Sequence, residues 1–108
     1  MHASQTSWSE TEKNIVQVAF ENAYQREINA LIQAVHDRSN AIQSIEDIWQ
    51  LHDFLSAKRH ELDGKYDSRD SVLIFVFANL IREGWLQISE LEGLDSDKLT
   101  KIAALSRM

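Results

Sequence analysis

Apolar side chains recur every three or four positions at Val16, Phe20, Ala23, Tyr24, Ile28, Leu31, Ile32 and Val35. That spacing draws one stripe along a helix of about 3.6 residues per turn and predicts a first long helix. Its start is signalled twice, because Ser7 with Glu10 and Ser9 with Glu12 both have capping-box spacing, so the helix is expected to open near Trp8 or Ser9. Asp37-Arg38-Ser39-Asn40 combines weak helix formers with cap chemistry, and a turn is expected there. A second helix is predicted from Ala41 to Asp63, stopping at Gly64 in a left-handed cap. Lys65-Tyr66-Asp67-Ser68 reads as a loop that offers Asp67 or Ser68 as the next N-cap. The third helix, Arg69 to Glu83, is apolar around most of its circumference, belongs at the centre of the core and ends at Gly84. A short helical turn is expected at Ile88 to Leu91. The last helix, opened by Asp95 or Ser96, presents Leu99, Ile102 and Leu105 on one face.

The pattern is that of an all-α protein with two long helices followed by a compact group of shorter ones. It is a single domain over 1–108: residues 1–8 are expected to be disordered, 9–63 to form a long helical hairpin or bent helix, and 67–108 a helical head. The chain contains no proline and only three glycines, Gly64, Gly84 and Gly93, so little interrupts the helices between them. Two helices of roughly 23 to 28 residues would be about 35–42 Å long. A compact chain of this size has a radius of gyration of only about 13 Å. The long helices would overhang their own domain, and a second copy packed on them across a two-fold axis would cover the apolar surface left in water. A kinked first helix folding back within a monomer is the alternative.

Composition narrows the function. Hydrophobic residues make up 44% and charged residues 26%, the balance of a folded rather than an unstructured chain. The absence of cysteine removes disulfides, zinc-thiolate sites and thiol catalysis, and a cytoplasmic setting is expected. The richest apolar run, Val72 to Leu80, is about half the length needed to span a bilayer, so no direct membrane insertion is expected. Met1 to Ser9 has neither a basic start nor an apolar stretch and does not read as a secretion signal. A formal charge of −6, from 17 acidic and 11 basic residues, lacks the basic footprint that nucleic acid requires and disfavours anionic lipid.

On the second helix, advancing about 100° per residue gathers Ile48, Leu51, Leu55 and Leu62 on one side, the face that must be buried. Ile48, Leu51 and Leu55 are assigned to dimer packing. Trp49, His52, Asp53, Ser56 and His60 gather on the opposite side, with Arg59 on the shoulder. Tryptophan and arginine are the residue types in which binding energy concentrates. The plainer reading packs Trp49 under the first helix and leaves the polar residues as solvated surface. Asp53 and Arg59 are six apart, however, so they cannot pair in the i,i+4 manner and stay free for another chain.

Enzyme readings fare poorly. His52 and Asp53 are neighbours, and adjacent helical side chains are expected to diverge rather than form a relay. His60-Glu61 lacks the second histidine of a metalloprotease helix, and no glycine-rich nucleotide loop is present. No catalytic residue, metal, cofactor or small-molecule substrate is expected. Phe75 and Phe77 lie about 200° apart around their helix, so one faces inward while the other can reach a surface.

The string Asp47-Ile48-Trp49-Gln50-Leu51-His52-Asp53-Phe54-Leu55-Ser56-Ala57-Lys58-Arg59-His60-Glu61-Leu62-Asp63-Gly64-Lys65-Tyr66-Asp67 resembles the cyanobacterial fluorescence recovery protein family. The likeness continues through Ser71 to Ala78 and upstream at Ala23-Tyr24-Gln25-Arg26-Glu27. It implies a helical homodimer without a cofactor that acts on the orange carotenoid protein. Light converts that protein to a red, extended form that binds phycobilisomes and dissipates excitation as heat. A family member engages its C-terminal domain, speeds its return to the orange form and helps release it from the antenna, ending non-photochemical quenching. The resemblance places such a protein on the cytoplasmic side of the thylakoid membrane through its phycobilisome-bound partner. In the family, the residues matching Trp49, His52, Asp53 and Arg59 are implicated in activity or in the dimer, and those matching Phe75 and Lys101 in partner contact. From the residues alone, a generic dimeric helical adaptor or transcription-factor antagonist, and a small histidine-dependent enzyme, remain as rivals.

Overall fold

In the computed structural model, which describes residues 7–108, Ser9 opens α1 (Glu10–Asn40) with the second of the two signalled capping boxes. Ser9 Oγ accepts from the Glu12 N–H at 3.1 Å, and Glu12 Oε1 accepts from the Ser9 N–H at 3.0 Å. The turn expected at Asp37–Asn40 does not form there. Gln33 Nε2 donates to Asp37 Oδ1 at 2.9 Å, Ser39 Oγ donates to the His36 carbonyl, and the Arg38 guanidinium lies 3.8 Å from the centre of the Phe54 ring. Asp37 and Arg38 find side-chain partners along the helix surface, and Ser39 bonds back onto its own helix one turn earlier, so none of the three ends it.

The chain turns instead at Ala41–Gln43, and Ser44 caps α2 (Ile45–Leu62) by accepting from the Asp47 N–H. The boundary shifts by four residues. That makes α1 31 residues long and α2 only 18, where two helices of similar length were expected.

Gly64 ends α2 as expected, with φ at +80° and the Lys65 N–H donating to the Leu62 carbonyl, a turn whose third position needs positive φ. α3 (Leu73–Glu83) begins four residues later than predicted. Asp67 cannot cap it, because its carboxylate is occupied by the backbone N–H and guanidinium of Arg69 at 2.6–3.0 Å. Gly84, at φ +88°, closes α3 in the left-handed region, and the Trp85 N–H reaches back to the Leu80 carbonyl. A 3-10 turn at Ile88–Leu91 leads through Asp95 into α4 (Ser96–Ser106), both where the sequence puts them. Among the described residues every regular element is helical.

The core lies in the head, where Leu73, Phe77, Leu80, Leu86, Leu91 and Ile102 are almost fully enclosed. It is not confined to 67–108. The first turns of α1 supply Val16, Ala19 and Ala23, which are buried in the same apolar cluster as Phe77. Phe20 adds ring contacts to Phe77 and Tyr66 at 5.1 and 5.6 Å. Trp8 is a correction: placed in a disordered leader by its position, it is only 6% exposed and packs into this core, while 1–6 lie outside the described residues.

Two buried ion pairs tie the chain together over long sequence distances. Lys98 Nζ meets Glu12 Oε1 at 2.7 Å under the Trp8 ring, and Lys65 Nζ meets Glu27 at 2.6 Å and Glu83 at 2.8 Å. Tyr66 donates to the same Glu27, and Arg26 grips Glu90 through two bonds of 2.8 Å. Burial alone would raise the Glu12 carboxyl, but Lys98 and the N–H groups of Asp95 and Ser9 outweigh it and hold it at about 2. A carboxyl depressed on folding contributes stability above its ordinary value of 4.5, and that contribution is lost as pH falls towards about 2. At neutral pH it amounts to something on the order of 3 kcal/mol. Urea unfolding followed across this window should show a steep acid loss, and Glu12→Gln should flatten it while lowering stability at pH 7. An unchanged acid slope in that variant would remove Glu12 from the account.

Beyond the head, the C-terminal half of α1 continues into open solvent with α2 folded back along it as an arm. The molecule measures 59 × 25 × 24 Å, and its radius of gyration is 17.1 Å. A compact chain of this length would give about 13 Å. The overhang deduced from helix length is present, carried mostly by α1.

Candidate functional site

α2 has no fully buried residue. Its half-buried stripe against α1 runs Asp47, Leu51, Phe54, Lys58 and Leu62, and Phe54 lies between the Arg38 guanidinium and the Lys58 ammonium. Ile48 and Leu55, expected on the inward face with Leu51 and Leu62, are turned outward: Ile48 is 42% and Leu55 38% exposed. Phe54 takes the inward position because its ring stacks with Arg38 of α1, which rotates the aliphatic pair away. A cleft of about 230 Å³ remains between α1 and α2, lined by Ala30, Leu31, Ala34, Phe54, Leu62 and Trp85.

The outer surface of the arm therefore carries a second apolar stripe. Ile45, Ile48, Trp49 and Leu55 follow one another at helical spacing, and Ile32 of α1 is also exposed. Trp49, at 58% exposed, lies in this surface and not under the first helix. Ile32 belongs to the apolar stripe read along the first helix, whereas Ile45 was not singled out from the sequence, although it falls three residues before Ile48 and the same periodicity points to it. Single exposed apolar residues are ordinary, but a contiguous set marks an interaction surface.

The polar residues of α2 stand beside that stripe. His52 Nδ1 lies 3.3 Å from Asp53 Oδ1, so these side chains converge where divergence was expected. Both are largely exposed, and a pair of that kind contributes little stability. Arg59 is exposed and makes no side-chain ion pair among the described residues. Asp53, Ser56 and His60 line a shallow open depression on the same helix.

Phe75 and Lys101, distant in sequence and on different helices, line one groove of about 390 Å³ between α3 and α4. Phe75 is 61% exposed, whereas Phe77 two residues on is fully enclosed. Asp70, Ser71, Ile74, Ala104, Leu105 and Trp8 complete the walls. Trp8 and Asp70 were missed, because only tertiary packing brings the start of the chain to the α3–α4 seam. Among the described residues, no three His, Cys, Asp or Glu side chains converge to hold a metal ion, and no helix is long and apolar enough to cross a membrane.

Residues 8–106 match the family described as the photoprotection regulator fluorescence recovery protein, nearly the whole chain. The chain belongs to that family. It is 49% identical over 108 residues to the fluorescence recovery protein of Synechocystis sp. PCC 6803, covering 100% of this chain and 99% of that one. The solved structure of the Fremyella diplosiphon fluorescence recovery protein shares 65% identity and superposes with a TM-score of 0.91, covering 94% of this chain and 100% of that one. The Synechocystis structure gives 52% identity and the same TM-score and coverage. Membership makes this chain a photoprotection regulator, a regulatory role. The adaptor and histidine-enzyme readings give way to it.

Proposed function

We propose that this chain is a homodimer that binds the red, photoactivated orange carotenoid protein through that protein's C-terminal domain. Binding accelerates its return to the orange form and its release from the phycobilisome, which ends non-photochemical quenching. The observation that carries this reading is the presence of two separate unpartnered apolar surfaces, one along the arm and one at the Phe75–Lys101 groove. A dimer that also engages a partner needs two such surfaces, and they must not overlap.

A protein that speeds a relaxation without chemistry must bind the state between extended and compact forms more tightly than the extended form. Each ~1.4 kcal/mol of that preference is worth about tenfold in rate. Holding the partner's two domains near each other is one way to supply it, through raised effective concentration. The chain then sits at the cytoplasmic side of the thylakoid membrane only by way of its phycobilisome-bound partner.

Arg59 and Asp53 are exposed and contribute nothing to the buried core, so their roles are testable apart from folding. Arg59→Lys keeps the charge but loses the planar fork that grips a carboxylate through two parallel bonds. It should slow the red-to-orange return by more than about tenfold, as should Asp53→Leu, with helicity and melting little changed. Recovery rate against concentration, paired with circular dichroism and an oligomer assay, makes the comparison. Full activity in both variants would falsify this assignment. Loss of activity only together with loss of the dimer would transfer these residues to the subunit contact.

A further inference from the structure

Apolar contact alone fixes α2 poorly against α1. None of its residues is fully buried, and a cleft of about 230 Å³ stays open along Phe54 and Leu62. Burial of apolar surface has no preferred direction. Among the described residues, the hydrogen bonds and ion pairs of α2 side chains stay within α2 or reach the turn before it. The stack of Arg38 on Phe54 orients the middle of the helix, but its head end is held from outside. A slip of one residue there would turn the helix by about 100° and carry its outer face away.

The hold lies in the two residues after Gly64, which the sequence offers as a plain connector. Lys65 Nζ donates to Glu27 of α1 at 2.6 Å and to Glu83, the last residue of α3, at 2.8 Å. Tyr66 donates to the other Glu27 oxygen at 2.7 Å, and its ring stands nearly perpendicular to Tyr24 and Phe20 at 5.3 and 5.6 Å. Trp85 Nε1 donates to the same Glu83 oxygen at 3.0 Å, and Trp85 walls the cleft beside Leu62. The Lys65 and Glu27 side chains are only 6% and 8% exposed. Burial would discharge the ammonium, yet the two carboxylates outweigh it and hold Lys65 above the usual lysine value. Hydrogen bonds between charged groups are short and directional, so they fix a position that apolar contact leaves loose.

We propose that Lys65 is a positioning residue: clamped between Glu27 and Glu83, it fixes the head end of α2 and so aims the face that carries Trp49, Asp53 and Arg59. This role rests on the function proposed above. Arg59 precedes Lys65 by only six residues, so a shift at the clamp reaches it directly. An apolar core of similar volume often stabilises as well as a buried ion pair does, and the distinctive product of this one is a single geometry.

The chain contains no cysteine, so Asn29→Cys on α1 and Glu61→Cys on α2 give two defined positions for spin labels. Dilution with unlabelled chain restricts the reading to distances within one copy. Lys65→Met keeps the length of the side chain without its charge, and Tyr66→Phe removes one hydroxyl. Ile102→Val trims the head core away from α2 and serves as the control. Label distance, melting and red-to-orange rate are read for each, the last well below the melting temperature. Lys65→Met should broaden the distance distribution and slow the return by about fivefold or more, with Tyr66→Phe smaller and in the same direction. Ile102→Val should lower melting and leave distance and rate unchanged; equal slowing there would make the effect one of stability and overturn the role. Unmoved labels in Lys65→Met, or moved labels with an undiminished rate, overturn it too and leave the proposed function standing. Where Lys65→Met does not fold, Tyr66→Phe decides on the same two readouts. An unmodified chain that does not speed the return overturns the proposed function and this role together.

Discussion

Replacing Ile48 with Glu is expected to leave a folded monomer. Ile48 lies on the outer stripe of the arm and is partly open to solvent in the single chain, so a carboxylate there disturbs no packing within one copy. In a dimer closed across the arm, the same carboxylate would be desolvated without a partner, and two-fold symmetry would place it in both subunits. An unpaired buried charge costs several kcal/mol, and each ~1.4 kcal/mol raises the dissociation constant about tenfold. More than about a hundredfold weakening follows, enough to turn a micromolar dimer into a monomer at working concentrations. Light scattering across a concentration series, with circular dichroism on the same samples, reads both halves of the claim. A monomeric unmodified chain at tens of micromolar would remove the dimer, and a dimeric Ile48→Glu would move its interface away from α2. The sequence places Ile48 on a face that must be buried without saying whether one copy or two bury it, and its exposure in the single chain is what makes a folded monomer the expected result.

The second large effect concerns two phenylalanines two positions apart. Phe77 is fully enclosed, against Phe20 and the head core, and Phe77→Ala should cost about 3–5 kcal/mol through lost contacts and the cavity left behind. A domain of this size has only about 5–15 kcal/mol of stability, so the variant should melt far lower and lose recovery activity with its fold. Phe75→Ala removes the same group from a 61% exposed position and should change stability by less than about 0.5 kcal/mol. Its loss should appear as weaker binding of the photoactivated carotenoid protein. Urea melts on both variants, beside recovery rates, make the comparison. Equal destabilisation by the two substitutions would contradict the packing of α3, and undiminished binding by Phe75→Ala would remove the groove from the partner surface.

Features set by near neighbours were legible. The Ser9 capping box, the left-handed stop at Gly84, the 3-10 turn before α4 and the opposition of Phe75 and Phe77 each depend on residues a few positions apart. The family likeness was equally readable, because it rests on an unbroken string from Asp47 to Asp67. Asp37–Asn40 misled for the opposite reason: its cap-forming side chains are bound along the helix, Asp37 by Gln33 and Arg38 by Phe54 across the hairpin. Asp67 misled likewise, its carboxylate being taken by Arg69.

By itself the sequence determined a helical protein too elongated to cover its own apolar surface, since local periodicity, caps and breakers act within a turn or two of chain. Only the tertiary structure decided which way each surface turns. α2 is apolar on two adjacent faces, and periodicity treats Phe54 and Ile48 alike. The ring that stacks on Arg38 sent Phe54 inward and left Ile48, Trp49 and Leu55 outside. The groove at Phe75 has the same origin, for Trp8 and Lys101 come to the start of α3 only through tertiary packing, in which Trp8 and Ile102 share one apolar core and Glu12 pairs with Lys98. Contacts between residues more than eighty positions apart leave no trace in local spacing, because either partner alone reads as an ordinary surface charge.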